Sequence, residues 1–262
     1  MNMEEKLKEI KLNKPILTVK NLHFHIIGKS SNFEIIKDIS FVVYEKEILA
    51  IAGPSGCGKS TLLRLIAGLI RPSAGQIILK EKPLSGPTPK ISMIFQQFAL
   101  LPWLTALENV ELPALNLIKD KEIRRKKASA LLEFVGLAGF ENSYPRELSG
   151  GMQQRVAIAR ALMTDPEILL MDEPFSNLDQ LTASNLRSEI LSILFNPNGS
   201  LKSIILVSHN IEEIVELADR VIILSKRPAT IVKEIVIDMP KPRSMRNPKF
   251  ISYVDTIYSY LT

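Results

Sequence analysis

A chain of 262 residues, 46% hydrophobic and 23% charged, can bury one substantial domain with an insertion, and its composition excludes the disordered and fibrous classes. Its net charge of +5 is a mild basic excess, which suits an anionic membrane surface at least as well as nucleic acid. A single cysteine excludes an internal disulfide framework and suits a reducing compartment.

In chain order, Met1–Lys14 alternates Glu and Lys without the apolar core of a signal peptide, so a short extension is expected. Ile16–Tyr44 alternates apolar and polar residues around a turn signal, Gly28-Lys29-Ser30-Ser31-Asn32; with Gln76–Leu79 it predicts an antiparallel sheet. Ile48–Ala52, Ser92–Phe95, Ile168–Met171, Ile204–Val207 and Val221–Leu224 are continuous apolar runs, the pattern of strands buried on both faces of a parallel sheet. Helical patterns at Ser60–Ala67, Leu181–Leu194 and Ile211–Leu217 lie between them, so the order predicts an α/β core. From about Gln97 to Leu162 the chain is helix-rich between Pro102, Pro113 and Pro145 and reads as an inserted helical subdomain. Pro240, Pro242 and Pro248 precede a short helical tail, Phe250–Leu261. The longest uncharged stretch, Ile91–Leu107, contains Gln96, Gln97 and Pro102 and falls short of a bilayer span, so any membrane role is expected through a partner. Arg124-Arg125-Lys126-Lys127 reads as a solvated helix face, with a phosphate-tracking patch as the sharper alternative.

Gly53-Pro54-Ser55-Gly56-Cys57-Gly58-Lys59-Ser60-Thr61 fits G-x-x-x-x-G-K-[ST] between a predicted strand and a predicted helix. Glycines let successive N–H groups turn inward around phosphate oxygens, and the helix N-terminus adds the positive end of its dipole. Lys59 is expected to reach the β- and γ-phosphates and Ser60 to offer a hydroxyl to Mg²⁺. Cys57 reads as a space filler that its place near a helix N-terminus leaves open to alkylation. Ile168–Met171 runs into Asp172-Glu173-Pro174. Strand-end carboxylates are expected beside a phosphate loop, Asp172 orienting Mg²⁺ and Glu173 polarising the attacking water. Leu148-Ser149-Gly150-Gly151-Met152-Gln153-Gln154-Arg155 reads as an N-cap opening a helix, a second anion site. Since one loop already holds the phosphates, this second site makes sense if it caps the γ-phosphate held by another copy, in a head-to-tail dimer.

With these motifs in this order the chain resembles the ATP-binding subunits of ABC transporters. Gly53–Thr61 resembles the Walker A loop, Gln96 the Q-loop glutamine, Leu148–Gln153 the signature motif, and Ile168–Asp172 with Glu173 the Walker B strand and catalytic glutamate. Ser176-Asn177-Leu178-Asp179 resembles the D-loop, and His209 the switch histidine. The resemblance covers about residues 16–238, with an extension before it at 1–15, a helical subdomain at about 97–162 within it and a tail at 239–262. It implies a P-loop NTPase (RecA-like) parallel-sheet core with an antiparallel β subdomain and the helical insertion. It also implies ATP and Mg²⁺, Gln96 at the metal or attacking water, Asp179 acting across the dimer interface, and His209 on the γ-phosphate.

Phe98-Ala99-Leu100-Leu101-Pro102-Trp103-Leu104-Thr105, then Glu108-Asn109-Val110, is similar to the importers of nitrate, sulfonate, taurine and related ligands, as is the segment from Arg220 to Pro228. That implies a separate permease, an extracytoplasmic substrate-binding protein, a place on the cytoplasmic face of the membrane and no nucleic acid. Trp103 and Leu104 read as a groove for a permease helix or as subdomain core. The rival readings are a non-transport ATPase of the same family acting on DNA or ribosomes, and a small-molecule kinase, which leaves Leu148–Gln153 unexplained. Three positions depart from the family pattern. Ile26 stands where an adenine-stacking aromatic is usual, with Phe24 as a possible substitute; Lys46-Glu47 replaces Gly-Glu before the Walker strand; and Met152 is fifth in the signature.

Overall fold

A computed structural model describes residues 14–27, 32–176, 178–196 and 199–261. The expected N-terminal extension up to residue 13, the turn at 28–31 and Asn177 lie outside the described residues. In chain order the elements are β1 (Pro15–Ile27), β2 (Asn32–Tyr44), β3 (Ile48–Ala52), α1 (Lys59–Ile66), β4 (Ala74–Leu79), β5 (Lys82–Pro83), β6 (Ile91–Ile94), α2 (Ala106–Glu111), α3 (Lys121–Phe134), α4 (Gly150–Leu162), β7 (Ile168–Asp172), α5 (Gln180–Leu194), β8 (Ser203–Val207), α6 (Ile211–Leu217), β9 (Arg220–Leu224), β10 (Ile231–Val236) and α7 (Pro248–Leu261). The chain forms two compact units, one running to Thr88 and resuming at Lys202, the other Pro89–Leu201.

In the first unit β3 pairs in parallel with β8 on one side and β9 on the other, and β10 adds an antiparallel edge. Every residue of β3, β8 and β9 is buried, which is why, after Ser203 and Arg220 at the start of β8 and β9, these strands are unbroken apolar runs. Each Ile, Leu or Val withdrawn from water contributes about 1.5–3 kcal/mol. The alternating segments form the expected antiparallel sheet, in the order β2-β1-β4-β5. α1 buries Leu62, Leu63, Leu65 and Ile66 and leaves Arg64 in solvent.

The Lys46-Glu47 departure has a structural account. Lys46 takes the left-handed φ of 60° that a glycine would hold more cheaply. Glu47 is buried, its Oε1 accepting Arg220 Nε at 2.6 Å and its Oε2 accepting Tyr44 N at 2.8 Å. Arg220 also donates to Glu234 at 2.8 Å and to the carbonyl of Val42.

The proline-broken segment before α7 belongs to the same core. Arg243 is buried and its Nη1 donates to the carbonyls of Val215 and Ala218, 2.6 Å each, at the C-terminal end of α6. Phe250 and Ile257 bury one face of α7.

In the second unit β6 pairs in parallel with β7, Ile94 opposite Met171, and α2, α3 and α4 pack on one another. The strand predicted at Ser92–Phe95 sits one residue earlier; Phe95 lies past its end. Two cations of the Arg124–Lys127 run are paired: Arg124 with Glu111 at 3.3 Å and Lys127 with Asp165, while Arg125 and Lys126 face solvent.

Candidate functional site

In the first unit the buried strand β3 delivers Gly53–Gly58 directly into α1. Gly56 and Gly58 hold φ of +72° and +126°, which only glycine adopts without strain. A Cβ on Gly58 would also stand 3.0 Å from Ile35 Cγ2 and 3.2 Å from Ile36 Cδ1 of β2. Lys59 is buried and folded over the loop, its Nζ donating to the carbonyls of Gly53 at 2.7 Å and Pro54 at 3.0 Å. Ser60 and Thr61 are half-buried on the first turn of α1, Pro54 is half-buried, and Ser55 is exposed. Cys57 fills space as expected, but it is only 2% exposed, which corrects its expected openness to alkylation: it is shielded from such reagents in the folded chain.

His209 leaves the C-terminal end of β8, just after Val207, which pairs with Ile51 of β3. The histidine and the phosphate loop therefore leave the same end of two adjacent parallel strands. His209 is exposed. Asn210 behind it caps α6 by accepting Glu213 N at 3.2 Å, so the backbone after the histidine is fixed.

The second unit repeats this logic with acids. Gln96 follows β6, and Asp172 and Glu173 end β7, again from adjacent parallel strands. Gln96 Nε2 donates to Glu173 Oε2 at 2.9 Å. Asp172 is buried, and Glu173 is half-buried with a left-handed φ of 52°. A non-glycine residue pays about 1–2 kcal/mol for that conformation, and such strain gathers at functional sites.

Ser149 caps α4 as expected, its Oγ accepting Met152 N at 3.2 Å. Ser149 and Gly150 are exposed and Gly151 is half-buried. A Cβ on Gly150 would meet nothing within 4 Å. Nothing among the described residues demands a glycine there. Asp179 caps α5, accepting Thr182 N at 3.0 Å. The side chain and backbone of Thr182 hold its carboxyl below the usual carboxylate range.

Several residues escaped the sequence reading. Phe33 is 59% exposed and pairs across the strands with Ile26, itself 52% exposed, while Phe24 is half-buried. Phe33 stands two residues before Ile35, the side chain beside Gly58. Gln154 of α4 is buried and donates to the carbonyl of Pro174, next to Glu173. Arg160 of α4 donates to the carbonyls of Phe98 and Ala99, 2.6 Å each, just beyond Gln96. Arg227 donates to the carbonyl of Gly56. Gln154 and Arg227 lie in stretches already quoted from the sequence, but only tertiary pairing reveals what they and the others contact. Trp103 is 69% exposed. The loop that presents it is fixed by buried Asn109, which accepts Leu101 N at 2.8 Å and donates to the carbonyls of Leu101, Leu104 and Thr105 at 3.0–3.1 Å.

A family model described as ABC transporter matches residues 36–176. An uncharacterized ABC transporter ATP-binding protein of Methanocaldococcus jannaschii is 41% identical, with 100% of this chain and 97% of the relative covered. An aliphatic sulfonates import ATP-binding protein of Bacillus licheniformis is 44% identical over 85% of this chain and 86% of its own. A nitrate import ATP-binding protein of Synechocystis sp. is 42% identical over 94% of each. Among solved structures, a dimeric ATP-binding cassette in a post-hydrolysis state, bound to ADP and Pi, superposes with a TM-score of 0.77 at 32% identity, covering 86% of this chain and all of that one. A glycine-cradled lysine loop on this scaffold, at these identities, places the chain in the ABC transporter family as an ATP-binding, ATP-hydrolysing subunit.

Proposed function

We propose that the chain works as a head-to-tail dimer on the cytoplasmic face of a membrane, driving import of a small anion or organic ligand of the nitrate, sulfonate or taurine type through a separate permease. A substrate-binding protein on the far side would choose the ligand. The cradle at Gly53–Lys59 carries this reading. The import relatives and the dimeric cassette support the transport and dimer parts of it, which the DNA, ribosome and kinase readings leave without a counterpart.

In this mechanism the loop amides from Gly53 to Thr61 and Lys59 bind the phosphates, and His209 holds the γ-phosphate. Glu173 takes a proton from the attacking water, with Gln96 orienting its carboxylate. The open N-terminus of α4, at Ser149, Gly150 and Gly151, caps the γ-phosphate of the second copy, and Asp179 acts across the same interface. Gly150 fits this use because its missing side chain leaves room that only an outside group would fill. The exposed Ile26–Phe33 pair gives adenine its apolar contact.

Ser60, Gln96 and Asp172 each carry an oxygen donor of the kind Mg²⁺ takes, and the ion would neutralise phosphate charge. Among the described residues no group of three or more His, Cys, Asp or Glu could hold a metal by itself; phosphate oxygens and water would supply the other ligands. Among the described residues no helix is long and apolar enough to cross a membrane. Membrane attachment then runs through exposed Trp103 against a permease helix. Closure of the dimer moves the helical region and drags the permease toward its other access state.

Recovery of the chain from detergent-solubilised native membranes tests this. Two copies bound to a polytopic permease are expected. Ribosomal proteins or DNA without a membrane partner would overturn the transport role and leave the ATPase standing.

A further inference from the structure

We infer that Arg227, outside every nucleotide motif, is a positioning residue that sets the shape of the phosphate loop; this rests on the nucleotide reading of Gly53–Thr61. Its Nε donates to Gly56 O at 3.0 Å and its Nη2 shares the same acceptor. A peptide unit is planar and trans, so holding the Gly56 oxygen to one side turns the Cys57 N–H to the other. That other side is the one Lys59 occupies. Cys57 N donates to Pro54 O at 3.2 Å, and Lys59 Nζ donates to the same oxygen at 3.0 Å. A phosphate loop binds through N–H groups that converge, so a peptide whose N–H turned outward would drop out of the set. The guanidinium supplies an acceptor's partner on the outer side, where water would otherwise leave the peptide free to turn at a glycine of φ +72°.

Arg227 is itself held firmly. Its loop closes through Ser225 N on Thr230 O at 2.9 Å and Thr230 N on Ser225 Oγ at 2.9 Å. It is sewn to β2 by Ala229 N on Ile35 O and Lys37 N on Ala229 O, both 2.9 Å. The same stretch of β2 packs on Gly58, so strut and loop share one support. A Cβ on Gly56 would meet only Arg227 Nη2, at 3.9 Å, so the arginine contacts the loop through its carbonyl rather than by packing.

The chain's single cysteine makes the test direct, because ¹⁵N-cysteine labelling yields one backbone amide resonance, that of Cys57. In the full chain, Arg227→Gln is expected to move or broaden that resonance without nucleotide. It should weaken MgADP and MgATP about tenfold and leave AMP, which makes fewer phosphate contacts, within about twofold. Arg227→Lys, which offers a point donor in place of a fork, should fall between. An unchanged Cys57 resonance with unchanged affinities overturns the strut. So does an equal loss for ADP and AMP accompanied by a lower melting temperature, which marks a general packing role. Lys59→Ala is the control: if neither it nor the wild-type chain binds ADP, the nucleotide reading itself falls.

Discussion

Gln96 and Glu173 lie 77 positions apart in the chain, yet the amide of the first donates to the carboxylate of the second at 2.9 Å. The bond fixes the orientation of the Glu173 carboxylate. Glu173→Gln should keep ATP affinity within about threefold and slow phosphate release by about 10²–10⁴-fold, the usual worth of a positioned general base. Rapid-quench hydrolysis beside equilibrium nucleotide binding checks it; wild-type turnover in the variant removes Glu173 from the role.

Gly150 has open space where a side chain would point. Gly150→Ala should therefore fold with unchanged or slightly raised stability, since alanine favours a helix by up to about 1 kcal/mol. ATP turnover and ATP-dependent dimerisation should still fall at least about tenfold. Light scattering with the Glu173→Gln background separates the two effects, and full dimerisation would sink the trans-capping role.

Cys57 is 2% exposed. Maleimide should label the native chain at least about a hundredfold more slowly than the urea-unfolded chain, as followed by intact mass. Rapid native labelling would mean that the loop opens far more than its packing implies.

Trp103→Ala removes a side chain 69% exposed and should cost less than about 0.5 kcal/mol of stability, the range of ordinary surface changes. ATPase activity of the isolated chain should persist while permease recovery from membranes drops severalfold. Unchanged recovery would clear this surface of a docking role.

Arg220→Met strands the buried carboxylate of Glu47 and should destabilise by about 3–5 kcal/mol. Burial already pushes Glu47 above its ordinary 4.5, and removing the guanidinium deepens that shift. A carboxyl whose folded pKa is raised favours the fold below its unfolded value and loses that contribution as pH rises. The variant should therefore lose more stability at pH 8 than at pH 5, as read by urea unfolding at the two pH values. Adding Glu47→Gln, which still accepts Tyr44 N, should recover part of the loss.

Much of this was legible in the chain because its signals are local. Ile48–Ala52 and Ile211–Leu217 form elements with the bounds that their apolar patterns give, and Ser149 caps its helix as its residue type implies. What escaped depends on pairing across the sheet. Phe33 matters only because register sets it opposite Ile26. Burial of Cys57 comes from packing that the motif's spelling does not show: a Cβ placed on Gly53 would stand 2.9 Å from the cysteine sulfur. The Lys46 departure looked like a change of turn, whereas Glu47 beside it anchors a buried ion pair with a residue 173 positions away.

Arg243 turns what reads as an appendage into a buttress. A protein shortened at Asp238, where the motif-bearing region ends, would lose the donor that meets the carbonyls of Val215 and Ala218. It would also strip α7 from beside α6. Because α6 starts two residues after His209, such a protein would be recorded as catalytically impaired with every motif residue still in place.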